Sequence, residues 1–212
     1  DTVNTGIYIL SPEVLNYCKK NEMFDFSKDL FPILLKEKKD MYGFVTDDYW
    51  CDIGDLQAYA QCHMDVMEGK VSISIPGNEI KEKVWVGEGT VIDKDAVIKG
   101  PCIIGKNCHI KNNAMIDSYT VIGNGSVICE RSSVKRSIIW KNCVIDYNAQ
   151  LRGCVLCNKV HVKSGASIFE DSVIGDETII KEDAIVKPSI KIWPDKIIDE
   201  GTEINTNLVW GS

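Results

Sequence analysis

The chain has 212 residues, 44% hydrophobic and 26% charged, and a formal charge of −7. That is the composition of a globular protein with one large domain or two small ones. The acidic balance and the absence of any Lys/Arg block argue against a nucleic-acid partner, and no apolar run approaches the length of a membrane-spanning helix.

The opening Asp1-Thr2-Val3-Asn4 carries neither an initiator Met nor a charged-then-apolar leader, so the chain is expected to be a portion of something longer. Its nine cysteines are odd in number and follow no signal peptide, which fits reduced thiols in a cytoplasmic protein better than a secreted disulfide framework. The one C-x-x-C, Cys154 to Cys157, has no second such pair, so a zinc site is not expected.

In chain order, Val3 to Leu10 predicts a strand. Ser11-Pro12 opens a helix to about Lys20, with proline in its first turn. Ser27 is placed to cap a helix carrying Leu30, Phe31, Leu34 and Leu35. Met41–Val45 and Tyr49–Ile53 predict strands around Thr46-Asp47-Asp48. Asp55 is placed to cap a helix bearing Leu56, Tyr59, Cys62, His63 and Val66, which runs to Glu68 and ends at Gly69. Residues 1–70 thus form a mixed α/β piece, too small for a robust core of its own, and expected to be the end of a larger α/β domain. Residues 71–83, with Pro76-Gly77, are expected to be a linker.

From Val86 a repeat takes over. Aliphatic residues recur every six positions through Ile104, Ile122, Ile145, Val162 and Ile180 to Ile204, making 21 rungs with two steps of five, Val134 to Ile139 and Leu151 to Leu156. A small residue usually stands two before each rung, as at Cys102, Ala114, Cys143, Ala166 and Ala184. On an α-helix a step of six rotates by about 240°, so no stripe would form. On a strand, positions two apart share a face. Small and aliphatic residues then both point inward, and three short walls close a triangular parallel β-helix over residues 84–212. Seven coils at about 4.8 Å each stand roughly 34 Å tall. Gly87, Gly105, Gly123 and Gly175 all fall on one corner, where glycine's tolerance of positive φ is the expected reason. Cys102, Cys108, Cys143 and Cys154 fall on small inward positions and act as small hydrophobes.

The repeat resembles the hexapeptide-repeat family, and the resemblance implies a left-handed coil. The first segment resembles sugar nucleotidyltransferases. Val3-Asn4-Thr5-Gly6-Ile7-Tyr8 is similar to their N-x-G-I-Y strand, Asp25-Phe26-Ser27 to Leu30-Phe31-Pro32 to their F-P helix, and Tyr49-Trp50-Cys51-Asp52-Ile53-Gly54 to their W-x-D-I-G motif. Ile75 to Ile80 with Val84-Trp85-Val86-Gly87 resembles their linker, and Lys187-Pro188, Ile192-Trp193-Pro194 and Leu208-Val209-Trp210-Gly211 their C-terminal end. The mannose-1-phosphate guanylyltransferase-like branch matches best.

The resemblance implies a transferase that condenses a sugar 1-phosphate with a nucleoside triphosphate. Asn4 and Gly6 would lie on the sugar side and Asp52 would bind Mg²⁺, a cation typically held by one or two carboxylates plus phosphates and water. Read without it, Asp52 is a turn aspartate ahead of Gly54. No set of catalytic residues is complete: the family's glycine-rich nucleotide loop and E-K-P segment are absent from these 212 residues, so the chain alone is expected to be inactive.

Two rivals remain. Hexapeptide prisms also serve as acyltransferases, which need a His base, commonly beside an inserted loop. Here no step exceeds six, and His109 and His161 point outward in one column, three coils or about 14 Å apart, as surface histidines. The other rival is a non-catalytic assembly module. One outer column reads Trp85, Ile103, Val121, Ile138, Val155 and Val173. Such an apolar stack predicts an interface, either with another copy in a homo-oligomer or with the catalytic domain.

Overall fold

The computed structural model describes residues 3–209, so Trp210 and Gly211 of the terminal motif lie outside the described residues. The chain divides after Trp50 into two compact units. The helix Leu56–Glu68 lies in the second of these units.

In the first unit, Pro12–Tyr17 is a short 3₁₀ turn with proline at its start. A wide π-type turn, Phe26–Leu30, runs directly into α1 (Phe31–Lys36). Its cap is Asp25, not Ser27. Asp25 accepts from the Lys28 amide at 2.8 Å, while Asp29 reaches back to the Asp25 amide at 2.8 Å, so two otherwise orphaned donors are satisfied reciprocally. Leu30 and Leu34, one helical turn apart, are the buried pair.

The strands expected at 3–10, 41–45 and 49–53 are absent among the described residues. A strand exists only through a hydrogen-bonded neighbour, and none of the described strands pairs with these segments. Their side chains show the consequence: Ile9 is 102% and Phe44 94% exposed, values expected of a strand lacking the layer that would cover it.

The second unit begins with α2 (Leu56–Glu68), which Asp55 caps by accepting from the Ala58 amide at 2.7 Å and Gly69 ends in the left-handed region. The supposed linker then supplies a strand. β1 (Asn78–Lys81) pairs antiparallel with β2 (Val84–Val86) and covers the first edge of the prism.

The prism is a left-handed parallel β-helix of seven coils. Wall A contains the rungs Val86, Ile104, Ile122, Ile139, Leu156, Ile174 and Ile192; wall B runs from Ile92 to Ile198, and wall C from Ile98 to Ile204. Every pairing between successive coils is in the register expected from the repeat, for example Ile103 on Val121 and Val121 on Ile138. A parallel bridge between Ile192 and Leu208 closes the far end.

The core is the stacked interior. Ile104, Ile110, Ile128, Ile145, Leu156, Ile168 and Ile180 are fully buried, with the small inward residues Cys102, Ala114, Cys143 and Ala166 beside them. Burial drives the Cys102 and Cys143 thiols up to about 11 and Cys154 to about 12, as expected of structural, unreactive cysteines. Where the small residue is Ser or Thr, its hydroxyl bonds to backbone. Ser126 donates to the Trp140 carbonyl at 3.1 Å and accepts from the Cys143 amide at 3.2 Å, tying one coil to the next.

The corners correct the expected role of glycine. Gly87, Gly105, Gly123 and Gly175 do not have positive φ. They are glycines because the next coil's backbone passes too close: a Cβ on Gly123 would lie 2.6 Å from the Trp140 carbonyl carbon. The left-handed residue instead falls mostly three positions after the rung. It is glycine at Gly89 and Gly125, but more often Asn107, Asn113, Asn142, Asn148 or a charged residue such as Glu177.

These two corner positions make opposite predictions. Gly123→Ala should destabilise by about 1–3 kcal/mol through overpacking, whereas Asn148→Gly should change stability little, since glycine enters the left-handed region freely. Thermal unfolding followed by circular dichroism measures both.

Candidate functional site

The motif residues lie in separate units and are taken where they stand. In the first unit, the Asn4 side-chain oxygen accepts from the Gly6 amide at 2.9 Å, an Asx-type turn that Gly6 completes with φ +75°. Asn4 Nδ2 also donates to the Tyr8 hydroxyl at 2.9 Å. Tyr8 is held by Phe26 and Phe31, with ring centroids 5.9 and 5.2 Å away. The aromatic trio thus fixes a turn whose glycine faces open space: nothing lies within 4 Å of where its Cβ would be. The arrangement leaves room for a ligand to approach the Gly6 backbone. The Asn4 oxygen, however, is already engaged by its own chain.

Asp52, in the second unit, is exposed. No group of three or more His, Cys, Asp or Glu among the described residues is arranged to hold a metal. A lone carboxylate fits Mg²⁺ only when phosphates and water supply the other ligands, which is the common arrangement for that ion.

The apolar column is stacked as expected from Trp85 to Val173 and is ended by Lys191. Part of this wall is already occupied by α2. Trp140 donates from Nε1 to the Tyr59 hydroxyl at 3.1 Å, and a recess of about 390 Å³ is lined by Tyr59, His63, Val121, Ile138 and Trp140. At the other end of the helix, Glu68 accepts from Lys83 at 2.6 Å and from the Tyr119 hydroxyl at 2.6 Å. The nine residue steps from Tyr59 to Glu68 span about 13.5 Å of helix, the height of three coils. So Val121 and Ile138 meet the chain's own helix; of the rest of the column Val155 is also buried, and Trp85, Ile103 and Val173 are half-buried. The helix's amphipathic pattern shows that one face is buried but not what buries it. Burial also pushes His63 below the ordinary imidazole value, leaving the ring neutral at neutral pH.

His109 and His161 are surface residues of wall B, but each has a carboxylate partner. Nε2 of His109 lies 3.0 Å from Asp93 Oδ1, and Nε2 of His161 lies 2.8 Å from Asp146 Oδ2. The signal was present in the repeat, since each Asp stands one after a rung in the preceding coil, diagonal to its His. Neither pair lines the recess beneath α2.

Comparison with known proteins bears on both parts of the chain. Residues 98–208 match the family described as the GMPPB C-terminal domain, and residues 1–69 match the nucleotidyl transferase family. A UTP–glucose-1-phosphate uridylyltransferase of Synechocystis sp. is 31% identical over 169 residues, covering 78% of this chain and 44% of that protein. A glucose-1-phosphate adenylyltransferase of Acetivibrio thermocellus is 24% identical over 218 residues, covering 92% of this chain and 49% of that protein. The chain thus spans about half the length of these curated relatives. Among solved structures, the UDP-N-acetylglucosamine acyltransferase LpxA of Bacteroides fragilis aligns with a TM-score of 0.42 at 16% identity, over 61% of this chain and 68% of that one. Among the described residues, no helix is long and apolar enough to cross a membrane.

The Glu68 clasp yields a pH prediction. Hydrogen bonds from Lys83 and Tyr119 hold its carboxyl below the usual glutamate range. A depressed folded-state value stabilises above the unfolded value and is lost as pH falls through the folded one. Amides at the C-terminal end of α2 should therefore exchange faster as pH drops below the glutamate range, after correction for intrinsic exchange. Glu68→Gln should remove that dependence.

Proposed function

The chain belongs to the sugar nucleotidyltransferases with a GMPPB-type C-terminal domain, and from that premise we propose that it is the C-terminal portion of an enzyme making a nucleotide-sugar from a sugar 1-phosphate and a nucleoside triphosphate. Mannose 1-phosphate and GTP are the favoured pair. The observation that carries this reading is the order of the two family matches, nucleotidyl transferase over residues 1–69 and then the GMPPB C-terminal domain over 98–208. In this reaction a phosphate oxygen of the sugar 1-phosphate bonds to the α-phosphorus, the bond from that phosphorus to the β-phosphate oxygen breaks, and pyrophosphate leaves.

The chain's own contribution is to the sugar and metal side. The Gly6 turn, braced by Asn4 and Tyr8, would let the sugar approach the backbone closely. Asp52 would supply one carboxylate ligand to Mg²⁺, which when bound neutralises charge on the phosphates. No glycine-rich nucleotide loop occurs in these 212 residues, so the chain by itself would not catalyse the reaction. The described free cysteines suit a reducing, cytoplasmic setting. We assign the prism to assembly or regulation, with the part of the apolar column not taken by α2 as the contact with a second copy. An acyl-transfer reading would need one of the His–Asp pairs to border a substrate cleft, and neither lines the recess that wall A shares with α2.

Pyrophosphate release from GTP and mannose 1-phosphate, with Mg²⁺, tests the catalytic reading. The 212-residue chain should show none. In the full-length enzyme carrying this segment, Asp52→Asn should lower kcat at least about a hundredfold, since a metal contributes several kcal/mol of charge stabilisation. Release by the chain alone, or an unaffected Asp52→Asn enzyme, would contradict it. For assembly, Val173→Lys should lower the hydrodynamic mass measured by sedimentation; an unchanged mass would dismiss the self-association surface.

A further inference from the structure

Both shortened steps of the repeat sit on one edge of the prism. The steps Val134 to Ile139 and Leu151 to Leu156 each lack a residue, and both turn from wall C to wall A in successive coils. The left-handed residue moves accordingly to the second position after the rung, at Arg136 (φ 48°) and Gly153 (φ 61°). On wall C beside these two corners lies a recess of about 210 Å³ lined by Ser133, Lys135, Gln150, Leu151, Arg152 and Phe169.

The charge at this place runs against the rest of the chain. The sequence holds three arginines, and two of them, Arg136 and Arg152, stand here. Arg152 lies over the Phe169 ring, 5.0 Å from its centroid, a cation–π contact that holds the guanidinium against wall C. Its Nε lies 2.6 Å from Glu170 Oε1, and Arg136 stands 3.9 Å from the same oxygen. Lys135 and Lys99 share Asp117 in the same way, at 3.7 and 3.9 Å. These two carboxylates serve four cations, and Asp171, whose amide donates to the Gly153 carbonyl at 2.8 Å, is a third acid at the same edge, so a smaller local excess of positive charge remains on a protein whose total is −7. Ser133 and Gln150 add neutral hydrogen-bonding groups.

We propose that this recess binds a small phosphorylated anion. With Nε of Arg152 taken by Glu170, its two terminal guanidinium nitrogens remain to match the oxygens of a phosphate, and Lys135 adds a second charge. The volume lies below the ~300–1,000 Å³ of drug-sized sites, which suits inorganic phosphate or a phosphate monoester of a single sugar and not a nucleotide. The hydroxyls of a sugar phosphate would meet Gln150 and Ser133. The site stands on wall C alone and holds whether or not the chain takes part in nucleotidyl transfer.

Isothermal titration of the 212-residue chain at low ionic strength, with inorganic phosphate and with glucose 1-phosphate as separate probes, tests it. Saturable binding is expected with the native sequence. Arg152→Gln and Lys135→Gln should each weaken it at least about tenfold, the loss of one charge-assisted hydrogen bond. Lys181→Gln removes an equal charge from wall B, where Lys181 pairs with Asp199, and should leave binding unchanged. Both site residues are about half exposed, so the variants keep the fold, and an unaltered melting temperature verifies this. Glucose 1-phosphate binding tighter than phosphate, with the advantage lost in Gln150→Ala, identifies the monoester; equal affinities identify phosphate itself. Absence of saturable binding with either probe, or equal loss in Arg152→Gln and Lys181→Gln, would overturn the proposal.

Discussion

The structure depends on one constraint: each wall of each coil has room inside for one aliphatic rung and one further side chain, which is small in most coils and reaches the size of Val or Ile at Val84, Val160 and Ile190. Each buried aliphatic residue contributes about 1.5–3 kcal/mol, and each coil is completed only by the coil above and below it. Stability is thus nearly one-dimensional, a sum of neighbour contacts with capped ends. The antiparallel strand Asn78–Lys81 at one end and Leu208 at the other are such caps.

The same constraint shapes the surface. With the interior fixed by the rungs, variation is confined to outward columns and corners. Close passage of the next coil demands glycine at Gly87, Gly105 and Gly123. The left-handed position two residues further on tolerates Asn, Asp and even Arg, which leaves it free to carry charge to the edges. Wall A gives part of its outer column to α2, wall B carries two His–Asp pairs, and wall C carries most of the arginine charge. One scaffold so presents three chemically different faces.

How much of this was legible in the sequence follows from how local each cause is. The prism was legible because its period, its inward pairs and its coil count are all set within six residues. The Asp55 cap and the Gly69 stop were legible for the same reason. The strands at 3–10 and 41–53 were not, because β-structure is conferred by a neighbour, and none of the described strands supplies one. The corner glycines were placed correctly but for another reason, since the clash that selects them comes from a residue about eighteen positions away. At the candidate site, Asn4 and Gly6 were singled out by resemblance alone. That the Asn4 oxygen folds back on the Gly6 amide is visible only in three dimensions. Likewise the docking of α2 on Val121 and Ile138 joins residues about sixty or more apart, beyond any local pattern.

Amide hydrogen exchange on the 212-residue chain tests the central claim most directly. If every coil is held by ladders to its neighbours around a filled interior, peptides throughout 84–204 should be protected together for hours, while those from 41–45, which join none of the described strands, exchange within seconds. Rapid exchange across the prism, or protection that breaks into unrelated patches along it, would contradict the account.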